Sequence, residues 1–253
     1  MIVESQRGRE GMSWAPPPLR RLALSLVAIV AFVCPSLVTL WVATPSADGI
    51  QQKIRDRTAQ LGVILLKEDE VPPLLADAVI AIEDESFYSH HGIDSIGLGR
   101  AVLYDVTNLC LCQGGSTITE QLVKDVYLGG SDRGYNKVVD MVVALKVERV
   151  IDKRQILADY LSEITTGLGL YGVSAASCTY FHAPLRALTL GQYALLAGVT
   201  QAPSNYDPRI DPEAAATRRG HVLAAMVADK MITAAQAATA AAEPVLATSG
   251  PGC

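Results

Sequence analysis

Apolar residues along the chain fall first into one unbroken block and then into helix-spaced stripes. The block runs from Leu22 to Ala43 and is long enough to cross a bilayer as a helix. Pro35 lies inside it, which a membrane helix tolerates. Thr44 to Gly49, rich in small and turn-forming residues, reads as a linker. Beyond it, Pro72-Pro73 opens a helix running towards Phe87, with Leu75, Val79 and Ile82 as its buried stripe. Gly114-Gly115 ends a loop, and Ser116 or Thr117 caps the next helix. A further helix is predicted from Tyr135 to Asp152, with Val138, Val142, Leu145 and Val150 among its apolar positions, and another from Lys153 to Ile164. Gly167 to Gly172 is a turn-rich hinge or loop. Leu188 to Val199 is apolar nearly all round, the mark of a central buried helix. Gln201 to Pro208 reads as an irregular loop, Glu213 to Ala228 as a helix, and Thr233 with Gln236 as the capping box of a last Ala-rich helix. No internal repeat or strand-rich region is visible, so the class is mainly α.

The 253 residues hold an anchor and one domain with a sizeable core. Half of the residues are hydrophobic, which argues against disorder. The net charge is −5; residues 1–21 carry four Arg and two Glu, leaving −7 on the remainder. Arg20 and Arg21 before the apolar block place residues 1–21 in the cytoplasm and the rest outside. A cleaved signal peptide is the rival reading, and it fits less well: cleavage after Ala47 would put Pro45 at the −3 position. With no basic run and no basic-aromatic interleaving, nucleic acid is not an expected partner. Of the five cysteines, Cys34 lies in the span and Cys110 and Cys112 are too close for an easy mutual bridge. One disulfide or free thiols fit this set better than a metal, and Cys178 and Cys253 are the remaining candidates.

Two polar segments carry the candidate chemistry. In the first, Glu83-Asp84-Glu85 to His91-Gly92, the carboxylate of Glu83 shares a helical stripe with Ile80 and Phe87. Apolar neighbours desolvate a carboxylate and raise its pKa towards a value useful for a general base. The bland alternative is a solvated helix end with three ordinary acids. His90 and His91 read as structural or capping residues rather than as metal ligands. In the second segment, Thr117, Glu120, Gln121 and Lys124 form one polar stripe at a helix start, whose free amides and positive dipole end suit phosphate oxygens. A plain capping box of Thr117 with Glu120 is the competing reading. Lys137 and Asp140 are spaced as a surface ion pair.

Taken in order, these segments resemble the family 51 glycosyltransferases, the peptidoglycan polymerases found alone or fused in class A penicillin-binding proteins. Glu83-Asp84 with Phe87-Tyr88, His90 and Gly92 fits the family's first motif. Gly114-Gly115-Ser116-Thr117-Ile118-Thr119 with Gln121 and Lys124 fits the second. Lys153, Ile156, Tyr160-Leu161 and the Gly167 to Gly172 segment follow the fourth, and Leu195 to Gly198, Gln201 to Ser204 and Arg218-Arg219 look like the closing segments. The resemblance implies a lysozyme-like helical lobe with a smaller membrane-facing jaw, behind one N-terminal transmembrane helix. It divides the chain into a cytoplasmic N-terminus (1–21), the anchor (22–43), a linker with the start of the jaw (44–70), a glycosyltransferase domain (71–245) and a flexible tail (246–253). It implies lipid II and the nascent glycan strand as substrates at the outer face of the plasma membrane, with membrane lipid, transpeptidases and other cell-wall synthesis proteins as partners. Glu83 would be the base and Asp140 a second catalytic carboxylate. Asp84, Ser116, Thr117, Gln121, Lys124, Arg133 and Lys137 would bind substrate and pyrophosphate. A divalent cation, Mg or Mn, would assist on the pyrophosphate, with no dedicated protein cage and no organic cofactor.

The chain departs from the family pattern where Asn136 and Asp140 replace an Arg and a Glu of the third motif. Glu120 stands for a Gln, Ser162 for an Asn, and Thr165-Thr166 for an aromatic pair. These changes imply a divergent or slow polymerase. They leave two alternatives in view: a non-catalytic lipid II-binding scaffold, and a lytic glycosidase using Glu83 as acid. The resemblance covers no transpeptidase segment, so cross-linking is expected from another protein.

Overall fold

The computed structural model describes residues 18–108, 115–130, 134–167, 169–246 and 252–253. It divides into two compact units, residues 1–44 and 45–253. The described part of the first is a single helix, α1 (Pro18–Ala43), with Pro35 inside it. Its segment Leu22–Ala43 has a mean hydropathy of 2.4 and is long and apolar enough to cross a membrane.

The second unit is helical, as the spacing predicts, but with more elements. α2 (Ile50–Leu61) occupies what reads as linker in the sequence; it lies between two left-handed glycines, Gly49 and Gly62, and buries Ile50, Ile54 and Thr58. α3 (Pro73–Glu83) begins on its proline pair but stops four residues before Phe87. The backbone of Asp84 leaves the helical region at φ −160°, and the tight turns after it still bring Phe87 into the core, fully buried. α4 (Ser95–Asn108), which the periodicity did not predict, buries only Ala101. α5 (Ile118–Leu128) starts on Thr117 and ends on left-handed Gly129.

α6 (Tyr135–Val147) is shorter than predicted; of its apolar positions Val139, Val143, Ala144 and Val147 are buried, whereas Val138 and, beyond its end, Val150 are exposed. The break follows from Asp152, whose carboxylate caps the next helix, α7 (Lys153–Glu163), through the amides of Arg154 and Gln155. The glycine-rich turn after α7 is a small antiparallel hairpin of β1 (Thr165–Gly167) and β2 (Leu170–Tyr171). α8 (Val173–Phe181), also not predicted, follows directly. α9 (Leu190–Val199) is the central helix the sequence predicts, with eight buried residues from Gly191 to Val199. It packs against α3 and the long α11 (Pro212–Ala228), while the predicted loop between holds a short helix, α10 (Pro203–Tyr206). α12 (Ala234–Ala241) opens with the expected Thr233–Gln236 capping box.

Leu75, Ile118, Leu122, Ile156, Leu161 and Leu195 are buried essentially completely in one cluster joining α3, α5, α7 and α9. Each such side chain contributes about 1.5–3 kcal/mol of burial free energy, which holds the helix ends bearing the polar motifs in place. The chain end is not loose: Cys253 is bonded to Cys178 of α8, and the Gly252 amide donates to the His182 carbonyl.

Candidate active site

The end of α3, the start of α4 and the first two turns of α5 enclose a cleft of about 760 Å³. Glu83, Asp84, Ser116, Thr117, Gln121 and Lys124 line it, together with Arg100 and Gln201. Glu83 is the last residue of α3, with its side chain about one-tenth exposed. Desolvation raises its pKa, and the Gln121 hydrogen bond and the charges of Arg218 and Lys124 oppose that rise. Its Oε2 accepts from Gln121 Nε2 at 2.9 Å, and Gln121 Oε1 accepts from the buried Tyr160 hydroxyl at 3.2 Å. Tyr160 thus sets the amide so that its NH2 faces the carboxylate. Oε1 is buried and has no hydrogen-bond partner among the described residues; Arg218 Nη2 lies 3.9 Å away.

Asp84, expected to bind substrate, also has a structural engagement. Although it borders the cleft, its Oδ2 accepts from the Ile118 amide at 3.0 Å, and both oxygens meet His90 Nε2 at 2.9 and 3.0 Å. His90 Nδ1 accepts from the Gly92 amide, so the network assigns its proton to Nε2. The start of α5 is therefore already served by a carboxylate of the chain itself, the arrangement that helix-terminal amides favour. Thr117 is likewise engaged: it accepts from the Glu120 amide at 3.1 Å and donates to the Gly92 carbonyl at 2.8 Å. Gly92 has φ +96°, and a Cβ there would lie 2.8 Å from the backbone of Ala144, so only glycine lets the first motif pack against α6. The structural role expected for His90 is what the geometry shows.

The polar stripe on α5 splits in two. Gln121 and Lys124 face the cleft. Glu120 is buried, 1 % exposed, and turns towards α6, where its Oε2 bonds Lys137 Nζ. It does not close a capping box on Thr117, and it does not place a negative charge in the cleft. Lys137 also donates to Ser116 Oγ at 2.8 Å and lies 3.6 Å from Asp140 Oδ2. Lys137 and Asp140 are not among the cleft-lining residues; they share an ion cluster with Glu120, and Lys137 reaches the cleft wall through Ser116. Burial lifts the Glu120 pKa to about 7, against the pull of Lys137 and with a further push from Asp140. Arg133 lies outside the described residues. Ser162 also has a structural place, accepting from the Leu66 amide at 2.9 Å and donating to the Ala158 carbonyl.

The family model described as Transglycosylase matches residues 51–227. The chain belongs to the transglycosylase family. The match starts within α2. Penicillin-binding protein 1A of Vibrio cholerae is 42% identical over 183 residues, 72% of this chain and 22% of that protein. Penicillin-binding protein 1F of Bacillus subtilis is 38% identical over 172 residues, 68% of this chain and 24% of that protein. A 2.6 Å crystal structure of penicillin-binding protein 1A from Haemophilus influenzae aligns with a TM-score of 0.44 at 24% identity, covering 74% of this chain and 18% of that one. The chain thus spans under a quarter of the length of these curated relatives.

Sequence reasoning missed Arg218 and Tyr160 as residues near Glu83. Both fall in segments that match the transglycosylase motifs, but only the packing of α7, α9 and α11 around the end of α3 shows what they touch.

Proposed function

We propose that this chain is a membrane-tethered peptidoglycan glycosyltransferase that polymerises lipid II into β-1,4-linked glycan with inversion, its catalytic unit on the outer side of the membrane. The observation that carries the reading is the environment of Glu83. It is a desolvated carboxylate with one oxygen held and the other unclaimed by any described residue, at the wall of a large polar cleft. That is the state a general base needs.

Glu83 Oε1 takes the proton of the acceptor sugar 4-hydroxyl as that oxygen attacks C1 of the donor. The C1–O bond to the diphosphate breaks, the β-1,4 bond forms, and the proton later passes from Glu83 to solvent. Lys124, in the cleft, and Arg133 meet the charge that grows on the leaving diphosphate. Arg100, at the rim and 3.5 Å from Glu85, is a further cation within this wall. Asp84 and Thr117 support the reaction by holding the start of α5 rather than by touching substrate. Among the described residues no cluster of His, Cys, Asp and Glu forms a metal cage. A Mg or Mn ion arriving with the diphosphate would supply charge neutralisation there. The exposed apolar face of α4, with Ile96, Leu103 and Val106, suits contact with membrane lipid beside the cleft. Transpeptidases and other cell-wall synthesis proteins are the partners this product requires.

The test uses the full chain in detergent with labelled lipid II and a divalent cation, following glycan length and released polyprenyl diphosphate. Wild type is expected to give polymer, and Glu83→Gln to slow it by about 10²–10⁴-fold. Lipid II binding without turnover in wild type would replace this reading with a lipid II-binding scaffold. Cleavage of finished glycan would replace it with a lytic glycosidase.

A further inference from the structure

The oxygen of Glu83 that the reaction would use faces a cation which approaches without capturing it. Arg218 projects from α11 and is 8 % exposed. Its Nη2 is buried, has no hydrogen-bond partner among the described residues, and stops 3.9 Å from Glu83 Oε1. What holds it back is visible. Its Nε donates to the Gly198 carbonyl of α9 at 3.3 Å, and its guanidinium lies 5.8 Å from the centre of the Tyr206 ring. Gly198 admits the side chain because it has no Cβ; one there would come within 3.0 Å of Arg218 Cγ.

We infer that Arg218 is a positioning residue for the base, set by Gly198 and Tyr206 at a distance where its charge keeps Glu83 ionised while Oε1 stays open to the acceptor hydroxyl. A guanidinium at hydrogen-bond distance would occupy the same lone pair and compete with the proton it must receive. At 3.9 Å the attraction is Coulombic, and inside a desolvated site it is strong enough to offset part of the burial cost. The other groups facing Glu83 are Lys124 from α5, the Tyr160 hydroxyl from α7 and its neighbour Asp84. α9 brings no charged side chain, and its Tyr193 hydroxyl donates to Leu185 instead. Lys124 borders the cleft that the leaving diphosphate would occupy, which leaves Arg218 as the cation dedicated to the base.

The inference rests on Glu83 acting as the base, and the experiment separates the two. Glutamate-¹³C-labelled full chain in detergent is titrated by NMR, with the Glu83 signal assigned by its loss in Glu83→Gln. In parallel the pH profile of kcat/KM for lipid II is measured. Arg218→Gln is expected to move the Glu83 titration and the acidic limb of the profile upward together, by on the order of one pH unit. Arg218→Lys, which keeps the charge, should cancel most of that shift. Gly198→Ala, which retains Arg218 but displaces its side chain, should give a smaller shift and also serves if Arg218→Gln does not fold. An unmoved Glu83 titration in Arg218→Gln, or in Gly198→Ala where the former is unfolded, would overturn the inference. A raised KM with an unmoved limb would do the same and make Arg218 a substrate contact. If wild type makes no polymer yet the titration shifts, the polymerase reading fails and the positioning role stands.

Discussion

Lys137 illustrates how little a residue's type says about which side of a helix it serves. Its spacing suggests a surface ion pair and the family resemblance a phosphate contact, yet it is held by Glu120 and Ser116 and sits 3.6 Å from Asp140. Two carboxylates and one ammonium share a site from which most water is excluded, which is why Glu120 is driven up to about 7. Glu120→Gln keeps the shape and removes one of the two acids holding Lys137. The expected result is a several-fold lower KM for lipid II as Lys137 becomes available to the diphosphate; an unchanged KM would show that Ser116 and Asp140 suffice to retain it. At this scale the sequence was readable for Glu83, Gln121 and Lys124, whose chemistry and spacing bring them to one wall. It was not readable for Asp84, because a carboxylate that caps a helix starting 34 residues later has no local signature. Nor was it for Arg218, whose role depends on the absence of a side chain at Gly198.

Among the elements, the long apolar or strongly capped ones were the legible ones. α9 is apolar all round and central, and α7 and α12 start where Asp152 and Thr233 put them. The buried face of α6 was left open by its sequence for a simple reason. Val138, Val139, Val142 and Val143 offer two overlapping stripes, and which one is buried is decided by α5, against which α6 packs. α4 escaped notice because its apolar residues do not face the core; Ile96, Val102, Leu103 and Val106 are all more than half exposed. That exposure is costly in water and reasonable beside lipid. The triple variant Ile96→Ser, Leu103→Ser, Val106→Ser is expected to lower turnover several-fold on lipid II embedded in vesicles and to leave turnover in detergent near wild type. Equal losses in both media would place the face inside the fold's own stability instead.

For the molecule as a whole, the buried acids away from the cleft set a pH dependence of stability. Glu163, at the end of α7, is pushed up to about 8 by burial, which the nearby Arg57 only partly offsets. Asp159 is pushed up to about 6 by burial, against its hydrogen bonds from Gln155 and from Gln51 of α2. With Glu120 at about 7, these three groups have folded pKa values above those of the unfolded chain. The native state therefore binds more protons than the unfolded state between the ordinary carboxylate range and pH 8, and stability falls as pH rises through that window. The proposed reaction runs the other way: with Glu83 as its base it needs the carboxylate ionised, and the raised pKa puts the expected loss of activity on the acidic side. Tm should accordingly drop by several degrees between pH 5.5 and 8.5 while the kcat/KM limb rises. Glu163→Gln, which leaves the cleft untouched, should flatten the stability curve at its upper end, raise Tm at pH 8.5 and leave the rate profile in place. A Tm independent of pH in wild type would mean that Glu120, Asp159 and Glu163 all stay ionised in the folded chain through the whole range. The Arg57–Glu163 contact between α2 and α7 would then be an ion pair at every pH rather than one formed at a cost in stability as Glu163 loses its proton.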